Sequence, residues 1–226
     1  MPRILIADDH PLFRAALAQQ VREVAADVQV DEAHSLASAQ AALEHHADTD
    51  LVLLDLHMPG SHGLMGLATL RAEHPTVAVL MVSAHEDPAV VRRALAYGAA
   101  GFLSKSVDAT QIREAVRAVL DCREWVSPAL RHAVDAEPLS ATDRELGARF
   151  AALTPQQFRV LRRVAEGRLN KQIADELGVQ ERTIKAHMTV IFEKLGVRNR
   201  TQAGIALRQL ELADPAQARV EIDARS

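Results

Sequence analysis

Over residues 1–124, short apolar runs alternate with amphipathic stretches. Ile4–Ala7, Val28–Ala33, Leu51–Leu56, Val77–Ser83 and Gly101–Ser104 read as five strands. The third and fourth are almost continuously apolar, as strands covered on both faces of a parallel sheet must be. Helical periodicity fills the intervals, at about 11–26, 35–46, 62–73, 88–97 and 108–121. Pro11 and Pro88 follow candidate caps, His10 and Asp87, and suit a first helical turn. Five strands, each followed by a helix, predict an α/β doubly wound fold with a five-stranded parallel sheet.

The alternation is lost after Glu124. Ser127-Pro128 and Glu137-Pro138 break the pattern, while Ser140 and Thr142 are candidate caps for a helix carrying Leu146 and Phe150. Four helical patterns and no strand pattern follow. Thr154-Pro155-Gln156-Gln157 has the form of a capping box, opening a helix that buries Phe158, Leu161 and Val164 and stops at Gly167. Helices over about 170–177 and 181–195 flank Gly178-Val179-Gln180, and a last one covers about 201–212. The expected organisation is one domain over 1–123, a partly helical linker over 124–148, a small all-α four-helix domain over 149–213, and a polar tail over 214–226.

Charge sharpens this division. The net charge of −4 hides ten Lys/Arg against seventeen Asp/Glu in residues 1–124, and eleven against six in residues 154–213. An acidic half joined to a half of net charge +5 makes nucleic acid a candidate partner of the second. A lone Cys122 forms no internal disulfide, which favours a reduced, cytoplasmic setting. Four apolar residues before Asp8-Asp9 fall short of a signal-peptide core, and no run approaches a membrane span, so a soluble chain without a membrane partner is expected.

In an open parallel sheet the chemistry lies beyond the carboxyl ends of the strands. Four strands here end in reactive or charged groups: Asp8 and Asp9, Asp55, Ser83, and Lys105. Any one such acid is most often a turn former or a cap; the joint placement carries the argument. Three converging carboxylates call for a hard cation such as Mg²⁺, and Lys105 and Ser83 opposite it would offer donors to an anionic oxygen. The set suits transfer of a phosphoryl group to a carboxylate.

Over about residues 1–122 the sequence resembles the receiver domain of response regulators, a flavodoxin-like fold. The resemblance rests on Asp8-Asp9, Leu54-Asp55-Leu56-His57-Met58-Pro59-Gly60, Ser83-Ala84 and Gly101-Phe102-Leu103-Ser104-Lys105. It implies that Asp55 is a phosphoacceptor for a histidine kinase. Asp9, Asp55 and the His57 backbone carbonyl would bind Mg²⁺, with Asp8 acting mainly through water. Lys105 and Ser83 would contact the phosphoryl group, and Phe102, where Tyr is commoner, would be the aromatic that swings inward. His57 and His85 are expected at the pocket mouth, tuning access of water or merely exposed; zinc at His45-His46 is disfavoured because neighbours face apart on a helix. Gly60, Gly63 and Gly66 do not have dinucleotide-fingerprint spacing.

In the third helix of the basic half, Ile184, Met188, Ile191 and Leu195 share one face, leaving Arg182, Lys185, Ala186 and Thr189 on the other. A small, basic, hydroxylic surface suits a helix in the DNA major groove, although any single such helix could equally be a solvated one. Over about 152–207 the chain resembles the LuxR-type helix-turn-helix domain. The marks include Leu153-Thr154-Pro155, Ala165-Glu166-Gly167, Asn170-Lys171-Gln172-Ile173-Ala174, Thr183-Ile184-Lys185-Ala186-His187 and Lys194-Leu195-Gly196-Val197-Arg198-Asn199-Arg200. This resemblance implies base contacts from Lys185, Ala186 and Thr189, and phosphate or backbone contacts from Asn170, Lys171, Thr183, His187 and Arg200. The last helix would make a dimer contact through residues such as Ala203 and Leu207. Gln157 replaces a usual Glu, and Leu169 a usual Ser, Thr or Pro, so that Asn170 is expected to cap its own helix.

Receiver and LuxR-type domain together resemble the NarL/FixJ family of two-component response regulators. The implied partners are a sensor histidine kinase, double-stranded DNA, RNA polymerase and, on phosphorylation, a second copy of the chain. An enzyme is not expected: a phosphatase working through Asp55 would need a second Asp where His57 stands. The alternative reading is a DNA-binding regulator whose receiver answers a signal other than phosphorylation.

Overall fold

The computed structural model describes residues 1–24, 27–61 and 63–211; the expected tail over 214–226 lies outside them. The first half alternates β1 (Arg3–Ala7), α1 (Pro11–Arg22), β2 (Gln29–Ala33), α2 (Leu36–His45), β3 (Leu51–Asp55), α3 (Met65–Glu73), β4 (Ala78–Ser83), α4 (Pro88–Ala96), β5 (Gly101–Ser104) and α5 (Ala109–Leu120). With a further strand, β6 (Trp125–Val126), all neighbouring strands are parallel, in the order β2-β1-β3-β4-β5-β6.

The sixth strand, β6 (Trp125–Val126), corrects the five-stranded expectation. It lies in the stretch read as linker, and two residues are too few to show a period of two. Its pairing depends on Gly101, because a Cβ there would collide with the Trp125 carbonyl. Beyond it come α6 (Pro128–Ala136) and α7 (Ala141–Ala151), so the expected boundary at residue 148 falls inside a helix.

Alternate residues along each strand point to opposite faces, and both faces are buried. Ile4, Ile6, Leu51, Leu53, Leu80, Val82 and Leu103 pack on α1 and α5 through Leu17, Val21, Ile112 and Val116. Leu5, Val52, Leu54, Val79, Met81 and Phe102 face α2, α3 and α4 through Leu43, Leu67, Leu70 and Val91. Asp87 and Asp108 cap α4 and α5, accepting from Ala89 N and Gln111 N. His10, the expected cap of α1, makes no capping bond.

The second half folds as α8 (Pro155–Ala165), α9 (Asn170–Leu177), α10 (Glu181–Leu195) and α11 (Arg200–Glu211). Thr154 and Gln157 form the reciprocal capping box, at 3.0 and 3.3 Å. Gln157 Oε1 also accepts from Lys194 Nζ at 2.8 Å, so the amide keeps the contact with the ammonium that a carboxylate would make with charge on both sides. Leu169, not Asn170, holds the cap position of α9. Only half of a box survives there: Leu169 N donates to Gln172 Oε1 at 2.8 Å, and an aliphatic chain offers nothing in return.

The two halves dock through α3 and α4 against α7, α8 and α11. Arg93 on α4 lies 3.1 Å from Asp143 and donates to the Gln209 carbonyl at 3.0 Å. Arg159 on α8 pairs at 3.1 Å with Glu73, whose side chain is 3% exposed. Tyr97 lies against Gly147 of α7, closely enough that a Cβ at 147 would strike its ring.

Candidate functional site

The carboxyl ends of β1, β3, β4 and β5 converge on one pocket. Asp8 and Asp55 are 1% and 2% exposed and Ser83 is fully buried. Each ends an apolar strand anchored on both faces, so burial of these polar groups is imposed by the sheet. Lys105 Nζ lies 2.8 Å from Asp8 Oδ2 and 2.9 Å from Asp55 Oδ2. The other oxygen of Asp55 accepts from His57 N at 3.3 Å. Ser83 Oγ accepts from His85 N at 3.0 Å, and Lys105 N donates to the Ser83 carbonyl at 2.7 Å, joining the two loops at their base.

Burial pushes the Asp55 carboxyl above its ordinary range; the Lys105 hydrogen bond opposes this, and the nearby Asp8 charge adds to it. Burial works to lower the Lys105 ammonium, but its close pairing with Asp8 and Asp55 outweighs it and the group is held above its ordinary value. An ion pair alone would lower its carboxylate. That Asp55 is raised beside Lys105 therefore means that one ammonium does not compensate the burial and the second carboxylate.

This excess of negative charge tests the fit of a divalent cation. Ligand atoms of Asp8, Asp9, His10 and Asp55 all lie within 4.8 Å of one another. Asp8 Oδ2 and Asp9 Oδ1 are buried oxygens without a hydrogen bond of good geometry, although Lys105 and His10 Nδ1 each lie 2.8 Å away. The three carboxylates of this group supply oxygen ligands of the kind that suits Mg²⁺. The sequence offers His10 only as a helix cap, yet the structure places it in the site. Its ring lies 2.8 Å from Asp9, 3.2 Å from Asp8 and 3.8 Å from Asp55, and the only signal was its place beside two acids.

At the pocket mouth the rings of His57 and His85 meet edge to face, 5.7 Å apart. Phe102, expected as the aromatic that swings, is fully buried between the sheet and the α2–α4 layer.

The second candidate surface is the outward face of α10. Ile184, Met188, Ile191 and Leu195 are buried, while Arg182, Lys185, Ala186 and Thr189 are exposed together. Gly178, at φ +64°, supplies the left-handed turn that ends α9 and sends the chain into α10. Lys185 Nζ rests 3.0 Å from Glu181, with the two side chains 66% and 46% exposed. Thr183 and His187 are half-buried at the edges of the face, and Lys171 is exposed at the start of α9.

Arg200 and Asn170 are placed differently. Arg200 donates to the Arg168 and Val164 carbonyls and to Asn170 Oδ1, tying α11 to the α8–α9 turn. Ala203 and Leu207, expected at a dimer contact, are 0% and 1% exposed and face α8. The outward apolar residue of α11 is Ile205, 55% exposed.

Comparison with known proteins adds a second line of observation. Residues 4–117 match the response regulator receiver domain, and residues 151–206 match the bacterial regulatory proteins of the luxR family. The glycerol metabolism activator of Pseudomonas putida is 42% identical over 208 residues, covering 90% of this chain and 93% of that one. The probable transcriptional regulatory protein NarL of Mycobacterium tuberculosis is 38% identical over 212 residues, covering 92% and 94%. Among solved structures, the RcsB response regulator of Salmonella typhimurium is similar in fold, with TM-score 0.55, 23% identity and coverage of 91% of this chain and 95% of that one. The acidic pocket and the basic helix thus stand in the order that two family models and whole-length relatives share, and the chain belongs to the NarL/FixJ-type response regulators, transcriptional regulators that join a receiver domain to a LuxR-type DNA-binding domain.

Proposed function

We propose that Asp55 is the phosphoacceptor of this regulator and that the acyl phosphate formed there controls how the DNA-binding domains pair. The observation that carries this reading is the placement of Lys105 Nζ within 2.9 Å of both Asp8 and Asp55 at adjacent strand ends. Asp8, Asp9, Asp55 and the His57 carbonyl would hold Mg²⁺, whose charge, when bound, offsets that of the carboxylates and the incoming phosphoryl group.

A carboxylate oxygen of Asp55 forms the O–P bond while the N–P bond of a phosphohistidine in a sensor histidine kinase breaks. The leaving imidazole keeps the electron pair and takes a proton from water. His57 N orients one Asp55 oxygen. Lys105 leaves Asp55 and follows the new phosphoryl oxygens, and the hydroxyl hydrogen of Ser83 is free to donate to one of them, since its oxygen only accepts from His85 N. Phe102, already buried, serves as a packed support.

DNA contact falls to α10, with Lys185, Ala186 and Thr189 toward bases, Arg182, Thr183 and His187 around them, and Lys171 on phosphate. Asn170 and Arg200 act by bracing the α8–α9 turn. The docked arrangement leaves the α10 face open, so the receiver does not act by covering it. Docking instead holds α11 against α3, and Ile205 marks the side of α11 free to meet a second copy. Cytoplasmic homodimers on two half-sites, in reach of RNA polymerase, complete the reading. Among the described residues no helix is long and apolar enough to cross a membrane.

Incubation with acetyl phosphate and Mg²⁺, followed by peptide mapping, tests the assignment. Phosphate on the Asp55 peptide, absent from Asp55→Asn, is the expected result. Label on another residue, or undiminished label in the variant, overturns it. A wild-type chain that takes no label from acetyl phosphate or from a phosphorylated kinase favours a signal other than phosphorylation.

A further inference from the structure

Two loops supply the groups that face a phosphoryl oxygen: β4–α4 carries Ser83, and β5–α5 carries Lys105. Beyond the backbone bond from Lys105 N to the Ser83 carbonyl, a side-chain bridge joins the same two loops further out. Glu86 Oε1 accepts from Ser104 Oγ in a short hydrogen bond and from Ser106 Oγ at 2.6 Å. The two hydroxyls lie 2.7 Å apart, and Ser106 N donates to Ser104 Oγ at 3.1 Å.

Ser104 and Ser106 are the residues on either side of Lys105. Glu86 therefore grips both neighbours of the lysine from the loop that bears the serine.

We propose that Glu86 is a positioning residue for phosphoryl transfer to Asp55: by bonding Ser104 and Ser106 it sets the spacing between Ser83 and Lys105. The inference rests on the reading of Asp55 as phosphoacceptor. Ser104 is fully buried and packed at the end of β5, whereas Glu86 is exposed. The serine is the fixed end of the bridge and the β4–α4 loop the movable one. The two hydroxyls hold the Glu86 carboxyl below its ordinary range, so the ionised acceptor is the form that makes the bridge.

A preorganised pair of donors costs no rearrangement when charge moves onto the phosphoryl oxygens, and a donor misplaced by about 1 Å loses much of that benefit. Glu86 touches neither the phosphoryl group nor any pocket carboxylate in this reading. Its effect passes entirely through Lys105 and Ser83.

The test is the rate of Asp55 labelling by acetyl phosphate with saturating Mg²⁺, followed by intact-mass spectrometry, in the full chain. Glu86→Ala should be labelled about ten-fold more slowly, at an unchanged melting temperature, because the side chain is exposed. Glu86→Gln keeps a carbonyl acceptor for both hydroxyls and should recover most of the rate, a rescue that a nonspecific disturbance of the loop would not give. Ser106→Ala, which removes one of the two bonds from the other side, should fall between, and adding it to Glu86→Ala should cost nothing more.

Labelling of Glu86→Ala at the wild-type rate or faster overturns the bridge, as does failure of Gln to rescue. Absence of label on Asp55 in the wild-type chain is a different result: it removes the phosphoacceptor reading on which the bridge depends.

Discussion

Leu64 donates its backbone N–H to the carbonyl of Leu210 at 3.1 Å, joining the loop that leaves the Asp55 strand to the last helix of the DNA-binding domain. Asp55 and Leu64 are nine residues apart in sequence, and the intervening turn includes Pro59, Gly60 and Ser61. Arg93, on α4, contacts α11 at the adjoining residue, Gln209. The β3–α3 loop and helix α4 therefore meet adjoining residues of α11, Leu210 and Gln209.

Arg93 should act as the clasp of this contact. Arg93→Ala removes the Asp143 ion pair, the bond to the Gln209 carbonyl and the packing of the guanidinium on Tyr97. The loss should weaken docking by about 2 kcal/mol, the range for a partly buried charged hydrogen bond. Small-angle scattering should record a larger radius of gyration, and limited proteolysis should be faster between α6 and α7. An unchanged scattering curve and digestion rate would show that α4 does not hold the domains together.

Asp55 makes stability depend on pH in a predictable direction. Its carboxyl is raised in the folded chain, chiefly by burial. A raised acid contributes stability that is fully present below its unfolded-state value and is lost as pH rises through the folded one. At pH 7, without divalent cations, Asp55→Asn should therefore melt higher than the wild type, and the difference should close as pH falls through the ordinary aspartate range. Adding Mg²⁺ should raise the wild type far more than the variant, because a ligand stabilises only the state that binds it. Melting curves at several pH values, with and without Mg²⁺, check both signs.

The DNA-binding residues divide by what they touch. Lys185→Ala should cost about 1–3 kcal/mol on a cognate site and relax preference at one base pair. Lys171→Ala should weaken binding to all sequences and reduce the salt slope by about one unit. Arg200→Ala should behave differently from both. Its guanidinium is spent on the Arg168 and Val164 carbonyls and on Asn170, so the domain should melt lower while the salt slope of the folded fraction stays near that of the wild type.

What could be read from the sequence follows from what each residue's environment leaves in the pattern. Asp8, Asp55, Ser83 and Lys105 were legible because each interrupts an apolar run that can only be a buried strand, and a parallel sheet gathers such ends. The face of α10 was legible because Ile184, Met188, Ile191 and Leu195 fix its rotation. Two-residue β6 carries no period and is indistinguishable from linker in the sequence. Arg200 looks like any surface arginine until the α8–α9 turn closes beneath it. Ala203 and Leu207 form an apolar stripe that does not say which neighbour covers it, and here α8 does rather than a second copy. Inward Phe102 and the Glu86 bridge depend on distances between loops that no local pattern encodes.

The open face of α10 in the docked chain gives the last prediction. If the receiver acted by covering the recognition helix, the unphosphorylated chain would bind every DNA poorly. Here Lys185, Ala186 and Thr189 are exposed while α11 is held against α3, so a single half-site should not distinguish the full chain from the isolated domain. The isolated domain is best begun near residue 139, ahead of the Ser140 cap of α7, because Phe150 of that helix packs on Phe158 with ring centres 6.4 Å apart. Two half-sites spaced by about 34 Å require two copies to align, and that step is where docking interferes. Titration of a single half-site should give equal affinity for the 139–226 fragment, the unphosphorylated full chain and Asp55→Asn. On paired half-sites, the phosphorylated chain should bind about ten-fold or more tightly than Asp55→Asn, the span expected of a modest coupling free energy. Weaker single-site binding by the full chain than by the fragment would instead mean that the receiver occludes α10 in solution.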